Sequence, residues 1–287
     1  MQPIRISKRA LLGALLIAGM TVLPAVAQAE DLLTKGKSEG LTVAFYNYNP
    51  NSYIDQSGKL VGTDPETLIP VLQSMGLKVA ATQDTDWGNL IPGLNAGRFD
   101  VIAAGMYITP ERCDQVAFSQ PIFGFTQSLA VKTGNPDGIA SLEDIAAKGL
   151  TVAAIAGSGQ VGYSQLAGIA DEKILQIPDT ATAVAAIRAG RASAFVVDTG
   201  GIKALVEGLP EKDLEATKPF SEVKGKIVVP HGAIAFRKQD AAFVAEFDKA
   251  LEKRVHSPEH VAMLEGHGFS KSDLPRFTRE QLCSGSK

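Results

Sequence analysis

The stretch Arg98–Pro121, RFDVIAAGMYITPERCDQVAFSQP, is the most informative part of this chain. Its apolar residues Val101–Ala104 predict a short buried strand, which opens into Gly105-Met106-Tyr107 and is soon followed by Arg112. A strand end exposes backbone N–H groups, and an arginine a few residues later can return its planar fork to the same point. The pattern predicts a carboxylate-binding site, although a surface arginine beside an ordinary strand-to-helix turn would look the same.

The N-terminus has the features of a secretory signal peptide. Three basic residues and no acid precede an apolar run from Ala10 to about Leu23, and the small-residue tripeptide Ala27-Gln28-Ala29 follows. The run is shorter than the roughly 20 residues that a membrane-spanning helix needs. We therefore expect residues 1–29 to be removed after about Ala29 and the mature protein to be periplasmic.

The charge of the mature chain argues against one class of partner, and its two cysteines indicate a disulfide. Without the three basic residues of the leader, the chain has 25 basic and 31 acidic residues and therefore a net negative charge. Nucleic acid is not an expected partner. Cys113 and Cys283 would both meet an oxidising compartment, which favours a disulfide between the C-terminal tail and the arginine loop.

The order of apolar runs and helical patterns predicts an α/β fold. The predicted strands are Leu41–Phe45, Lys78–Ala81, Asp100–Ala104, Ser128–Lys132, Leu150–Ile155, Lys173–Ile177, Ala194–Val197 and Gly232–Arg237. Turn-rich stretches near residues 132–138 and 229–232 indicate two chain crossings between two lobes. We expect residues 30–132 and 231–287 to form lobe 1, residues 133–230 to form an inserted lobe 2, and a ligand to bind between them.

Gly157-Ser158-Gly159-Gln160-Val161-Gly162 fits the G-x-G-x-x-G pattern of dinucleotide-binding proteins. Export and the small size of the inserted lobe argue against such a cofactor. The same glycine-rich turn at a helix N-terminus could offer its N–H groups to a carboxylate, or could simply be a tight connection.

An acid and several aromatic residues follow other predicted strands. Asp198 could accept hydrogen bonds from a cationic group or could cap the following helix. Tyr46, Tyr48 and Tyr53 follow the first strand, and together with Trp87 they could surround a ligand and attract a cation. The four histidines lack zinc-type spacing and no serine lies in a G-x-S-x-G motif, so we expect no metal, cofactor or catalytic residue.

Together these features resemble the periplasmic solute-binding proteins of polar amino acid ABC importers (solute-binding protein family 3), over essentially the whole mature chain. The motifs that carry the resemblance are Ser57–Gly62 (SGKLVG), Trp87–Leu94 (WGNLIPGL), Tyr107–Arg112 (YITPER) and Phe118–Pro121 (FSQP). Pro110–Cys113 and Arg279–Cys283 further resemble the branch that binds the compatible solutes ectoine and hydroxyectoine.

The resemblance implies a type II two-lobed fold with two hinge strands, and it assigns a role to each candidate residue. Arg112 would bind the ligand carboxylate, assisted by backbone at Ala104, Gly105 and Tyr107, while Tyr48 and Trp87 would flank the ligand. From lobe 2, Ser158, Gly159 and Gln160 would close on the carboxylate, and Asp198 would receive an α-ammonium group.

The chain departs from the family pattern at several of these positions. Relatives often carry small hydroxyl residues at the positions of Ala104, Gly105 and Tyr107. The ectoine branch tends to have an acid in the loop where this chain has Asn47-Tyr48-Asn49, and tends to lack one at Asp198. The ligand therefore stays open between a polar amino acid and an ectoine-like solute.

The expected function is that of a monomeric binding protein, which performs no chemistry and delivers a zwitterionic ligand to a membrane permease. The alternative is a periplasmic enzyme on the same fold, such as a cyclohexadienyl dehydratase acting on arogenate or prephenate. An enzyme of that kind needs a positioned general acid. Asp198 is the obvious candidate, but it is already matched to an ammonium group.

Overall fold

Two separate sheets form the framework of the protein, whose computed structural model describes residues 31–269 and 271–285. The predicted signal peptide lies outside the described residues. All eight predicted strands are confirmed, with ends displaced by at most three residues. The described strands are β1 Leu41–Phe45, β2 Tyr53–Ile54, β3 Leu60–Val61, β4 Val79–Asp84, β5 Val101–Tyr107, β6 Ala117–Phe118, β7 Phe123–Gly124, β8 Gln127–Lys132, β9 Val152–Ile155, β10 Ile174–Ile177, β11 Ala194–Asp198, β12 Leu214–Ala216, β13 Glu222–Val223, β14 Lys226–Ile227 and β15 His231–Phe236.

Helices cover these sheets. They are α1 Leu32–Ser38, α2 Thr63–Ser74, α3 Leu90–Asn95, α4 Pro110–Cys113, α5 Leu142–Ala147, α6 Gly159–Ala167, α7 Thr180–Arg188, α8 Thr199–Gly208, α9 Ala241–Glu252, α10 Pro258–Gly266 and α11 Arg279–Cys283. Short 3-10 turns occur at Trp87–Asn89, Asp171–Lys173, Lys238–Asp240 and Lys271–Asp273. None of the described helices is long and apolar enough to cross a membrane.

The first sheet has the strand order β4-β1-β5-β15-β6, and β7 also pairs with β15. Strand β1 is parallel to β4 and β5, whereas β15 is antiparallel to β5. Every residue of β5 and β15 is buried, as expected for central strands with both faces covered. Helix α2 packs against β5 and against α9.

The second sheet has the order β10-β9-β11-β8-β12, with β9 parallel to β10 and β11. Strand β8 pairs with β11 and β12, so it belongs to this sheet, and the expected lobe boundary after Lys132 is wrong. The chain passes from the first sheet to the second between β7 and β8. The turn-rich residues after β8 form an ordinary surface turn. They were wrongly expected to mark a chain crossing, because a turn signal does not reveal which sheet the preceding strand joins.

The carboxyl ends of the parallel strands decide where the candidate residues lie. β1 and β5 run in the same direction and end at Phe45 and Tyr107, and β9 and β11 end at Ile155 and Asp198. Parallel strands bring their carboxyl ends to one edge of a sheet. Residues that follow these four strands therefore form two groups, one at the edge of each sheet.

A disulfide joins Cys113 of α4 to Cys283 of α11, which confirms the predicted pair. It closes a loop with a sequence separation of 170 residues. In the chain-entropy description, a loop of this length is worth at most about 5 kcal/mol of stabilisation.

Candidate ligand-binding site

A small cavity of about 30 Å³ lies among residues at or just beyond the carboxyl ends of strands from both sheets. Eight of the ten residues predicted for ligand binding line it, namely Tyr48, Trp87, Ala104, Gly105, Tyr107, Ser158, Gln160 and Asp198. The remaining lining residues are Tyr46, Asn51, Ile155 and Val197. Tyr53 is not among them, since its ring packs edge-on against His267, with 6.3 Å between the ring centroids.

Arg112 and Gly159 are the two predicted residues that do not line the cavity. The guanidinium of Arg112 donates to the carbonyl of Tyr107 (3.1 Å) and to that of Gly157 (3.2 Å). It lies over the Trp87 ring, 5.5 Å from the centroid. A guanidinium carries five N–H donors, so these two bonds do not exhaust it. At Gly159, a side chain would begin only 3.1 Å from the Tyr107 ring, so the glycine allows that ring to pack closely.

Asp64 accepts a hydrogen bond from the Gly105 N–H, one of the backbone groups that were expected to bind a ligand carboxylate. The Gly105 N–H donates to its Oδ1 at 2.7 Å, and the Thr63 hydroxyl donates to its Oδ2 at 3.2 Å. The side chain is completely buried. Burial raises the pKa of Asp64 to about 7, although the bonds from Gly105 and Thr63 oppose that rise. The expectation that the Gly105 N–H is free for a ligand is therefore wrong.

Asn51 is a cavity residue that the sequence analysis missed. Its amide packs against Gly105, which has a φ of +65° and no space for a side chain on that face. The Asn51 Oδ1 is buried and has no hydrogen-bond partner among the described residues. Its backbone carbonyl accepts from the Asp64 N–H at 3.0 Å, which fixes the loop against the start of α2. A loop asparagine has no sequence signal that would mark it as a ligand contact.

Asp198 both caps a helix and faces the cavity. Its Oδ1 accepts from the Gly201 N–H at 2.8 Å, which caps α8, and its Oδ2 accepts from the Tyr48 hydroxyl at 3.0 Å. Burial raises the pKa of Asp198 to about 6, against the lowering effect of these two hydrogen bonds. Burial also raises the pKa of Tyr48, which keeps that phenol protonated as a donor.

The residues around the cavity hold the two sheets together. Among the described residues, five side-chain hydrogen bonds beside the cavity join groups of the first sheet region to groups of the second: Tyr46 Oη to Pro178 O (2.9 Å), Tyr48 Oη to Asp198 Oδ2 (3.0 Å), Trp87 Nε1 to Gly157 O (3.2 Å), Arg112 Nη2 to Gly157 O (3.2 Å) and Gln160 Nε2 to Tyr107 Oη (2.8 Å). The structure is thus a closed form, in which polar groups of the candidate residues form hydrogen bonds with the opposite sheet region.

Two polar atoms on the second-sheet side remain without partners among the described residues, the Ser158 hydroxyl and the Gln127 Nε2. Ser158 precedes α6 but makes no capping bond to it. Gln127 accepts from Gln160 at 2.9 Å through its other amide atom. A buried polar atom without a partner costs free energy, so the Ser158 hydroxyl, which lines the cavity, indicates a group that a polar ligand can satisfy.

Within residues 31–269 and 271–285, no group of three or more histidine, cysteine or acidic side chains is placed to hold a metal ion. Two of the histidines contact backbone carbonyls instead. His260 Nε2 lies 3.2 Å from the Ile122 carbonyl, and His231 Nδ1 lies 3.1 Å from that of Val229.

Comparisons with known proteins identify the family of this chain. The sequence profile of the bacterial extracellular solute-binding proteins, family 3, matches residues 41–268. A probable amino-acid ABC transporter periplasmic-binding protein, y4tE of Sinorhizobium fredii, is 35% identical over 260 residues, which cover 88% of this chain and 86% of the relative.

Two solved structures extend the comparison. EhuB in complex with hydroxyectoine superposes with a TM-score of 0.80 and 31% identity, over 88% of this chain and 97% of that chain. The ancestral amino acid-binding protein AncCDT-1, described as a precursor of cyclohexadienyl dehydratase, superposes with a TM-score of 0.70 and 26% identity, over 82% of this chain and 98% of that one.

Proposed function

Because this chain belongs to the bacterial extracellular solute-binding proteins, family 3, and has their two-lobed α/β fold, we propose that it is the substrate-binding component of an ABC importer. It captures a zwitterionic polar amino acid or an amino-acid-like compatible solute and delivers it to a permease in the inner membrane. Ectoine and hydroxyectoine are the leading candidates, since the EhuB structure contains hydroxyectoine.

One observation carries this proposal: a small cavity with aromatic walls lies between a basic group and an acidic group from different sheets. Arg112 contacts two of its lining residues, Tyr107 and Trp87, and Asp198 is itself a lining residue. Opposite charges beside one partly buried site suit a zwitterion, and the reduced dielectric strengthens both interactions. A ligand carboxylate would take free N–H donors of Arg112 together with the Ser158 hydroxyl.

The remaining assignments follow from the same architecture. Lobe 1 consists of residues 31–126 and 231–287, and lobe 2 of residues 127–230, which moves the first boundary to the start of β8. Ligand binding between the lobes stabilises the closed form that the permease recognises. The protein acts as a monomer in the periplasm, after cleavage of its leader near Ala29.

Isothermal titration calorimetry of the purified mature protein tests the proposal. The panel contains the twenty amino acids, ectoine and hydroxyectoine, and we expect saturable binding of at least one of them with a stoichiometry of one. Circular dichroism confirms that the sample is folded. A folded protein that binds no member of the panel contradicts the proposal.

A second candidate function is that of a cyclohexadienyl dehydratase. It is favoured by one observation, namely that Asp198 is a cavity carboxyl whose pKa is raised to about 6 and which could therefore donate a proton near neutral pH. Both oxygens of Asp198 already accept hydrogen bonds, which favour its ionised form and argue against a role as proton donor. Incubation with arogenate or prephenate, followed by product detection, separates the two functions, and turnover would establish the enzyme.

A further inference from the structure

Tyr48 fills the position next to the cavity acid. Its hydroxyl donates to Asp198 Oδ2 at 3.0 Å and lies directly above Gly201, where the Cβ of any other residue would coincide with it. Both Tyr48 and Asp198 are buried, with 8% and 1% of their surface exposed. The Tyr48 phenol is therefore enclosed between the acid and the first turn of α8.

This arrangement matters for a ligand with an α-ammonium group. Such a group has three N–H donors, and each one that loses water on binding must find an acceptor or cost free energy. The two Asp198 oxygens already accept from Tyr48 and from the Gly201 N–H. The Asn51 Oδ1 is a buried cavity acceptor without a partner among the described residues, and it can satisfy one N–H.

The aromatic rings offer a different kind of interaction for positive charge. The Tyr46 and Tyr48 rings are stacked with 6.2 Å between their centroids, and Trp87 packs edge-on against Tyr46 at 5.9 Å. Aromatic faces stabilise a diffuse cation without hydrogen bonds. The cavity thus offers few acceptors for the N–H groups of a ligand but an extensive aromatic surface.

We propose, on the basis of the function proposed above, that Tyr48 is a specificity-determining residue. Its hydroxyl takes one of the acceptor positions on Asp198 that an α-ammonium group would use, so the site favours zwitterions whose cationic nitrogen is substituted or delocalised and needs fewer acceptors. Gly201 serves this selectivity by leaving space for the Tyr48 hydroxyl.

A matched pair of ligands isolates the effect. In ectoine the nitrogen on the α-carbon belongs to a ring amidinium and carries one N–H, whereas hydrolytic opening of the ring to Nγ-acetyl-2,4-diaminobutyrate yields a free α-ammonium with three. Calorimetric titration at pH 8, where Asp198 is ionised, measures both affinities. We expect wild-type protein to bind ectoine at least tenfold more tightly.

The test variant is Tyr48→Phe, which keeps the ring and releases the Asp198 oxygen. The ectoine preference should fall by about tenfold or more, the factor that one hydrogen bond to a charged group provides. The matched control is Tyr53→Phe, the same change at the start of β2, five residues further along the chain and outside the cavity, which should leave the preference unchanged.

Unfolding curves establish that each variant is folded. If Tyr48→Phe does not fold, Gly201→Ala replaces it, because the added Cβ displaces the Tyr48 hydroxyl and should reduce the ectoine preference in the same direction. An unchanged preference in the folded variant overturns the inference. Tighter wild-type binding of the open-ring ligand, or of a standard amino acid, also overturns it but leaves the proposed function standing, which fails only if no ligand binds.

Discussion

Asp64 and Asp198 are both buried carboxyls, and the surroundings of each determine what it does. Asp64 holds the end of β5 through the Gly105 N–H, and Asp198 holds the start of α8 and the Tyr48 hydroxyl. Burial raises both pKa values, to about 7 and about 6. A cation in the cavity would favour the ionised form of Asp198, so binding and protonation are linked at that residue.

Asp198 makes stability depend on pH. Its folded pKa of about 6 lies above the ordinary 3.8, so between these values the native state keeps a proton that the unfolded state has lost, and stability falls as pH rises. Asp198→Asn removes this contribution while asparagine can still cap α8. We expect the free energy of unfolding of the variant, relative to wild type, to increase by about 1–3 kcal/mol from pH 4 to pH 7.

Urea unfolding at pH 4, 5, 6 and 7 measures this difference for the ligand-free proteins. A constant offset between wild type and Asp198→Asn over the whole range would show that Asp198 has an ordinary pKa in the folded protein.

Arg112 is predicted to contribute to binding far more than to folding. Arg112→Ala removes the fork for the ligand carboxylate, and loss of two charge-assisted hydrogen bonds should weaken binding by about 100-fold or more. Loss of its bonds to two backbone carbonyls should cost the ligand-free protein only about 1–2 kcal/mol.

Calorimetric titration with the ligand that wild type binds most tightly measures the loss of affinity, and urea unfolding measures the loss of stability. The control is Arg188→Ala, because Arg188 pairs with Asp213 and Glu211 on the surface and should not affect the ligand. Wild-type affinity in folded Arg112→Ala protein would show that Arg112 does not bind the ligand carboxylate.

At the level of elements, the end of β5 is the most constrained part of the site. The register of β15 against β5 shifts between Ala233 and Ala235, opposite the segment that contains Gly105. Gly105 has a left-handed φ of +65°, and the Asn51 amide packs where a side chain would stand. Such irregularities allow a strand to redirect its backbone toward a ligand site.

Gly105→Ala should therefore damage the site in two ways. The left-handed backbone costs about 1–2 kcal/mol for a residue with a Cβ, and displacement of Asn51 adds to this and disturbs the cavity. We expect more than about 2 kcal/mol of destabilisation and at least tenfold weaker ligand binding.

Gly97→Ala is a matched control, because Gly97 has a similar φ of +71° but open space around the position of a Cβ. It should cost only about 1 kcal/mol and leave binding unchanged. Equal effects of the two substitutions on affinity would show that the Asn51 contact has no role in the site.

For the whole molecule, the two sheets are linked both through the cavity and through the disulfide. The loop that Cys113 and Cys283 close contains all five strands of the second sheet. The second sheet therefore lies within a covalent ring, which restricts the unfolded chain more than the folded one.

Replacement of both cysteines, Cys113→Ser with Cys283→Ser, should lower the free energy of unfolding by about 2–5 kcal/mol. Urea unfolding of oxidised wild type and of the double variant measures the loss. Chemically reduced wild type is the control and should match the variant. An unchanged unfolding midpoint would mean that the disulfide contributes nothing to global stability.

The positions of the strands, the disulfide partners and most cavity residues could be predicted from the sequence. Apolar periodicity predicts the strands, and the carboxyl ends of parallel strands must lie along one edge. Trp87 and Tyr107, which were predicted to lie near a ligand, line the cavity, and their role in binding stays a prediction. The lobe boundary could not be predicted, because the sheet that β8 joins depends on its pairing with β11.

Local patterns along the chain thus determined the elements and the chemistry available near the cavity, while the tertiary structure alone decided which groups bond to each other. Asp64 binds the Gly105 N–H across a separation of 41 residues, and Tyr48 binds Asp198 across 150. A hydrogen bond between residues so far apart leaves no periodic or motif signal, because it depends on how two separately formed sheets come together. The acceptors that remain for a ligand follow from those contacts.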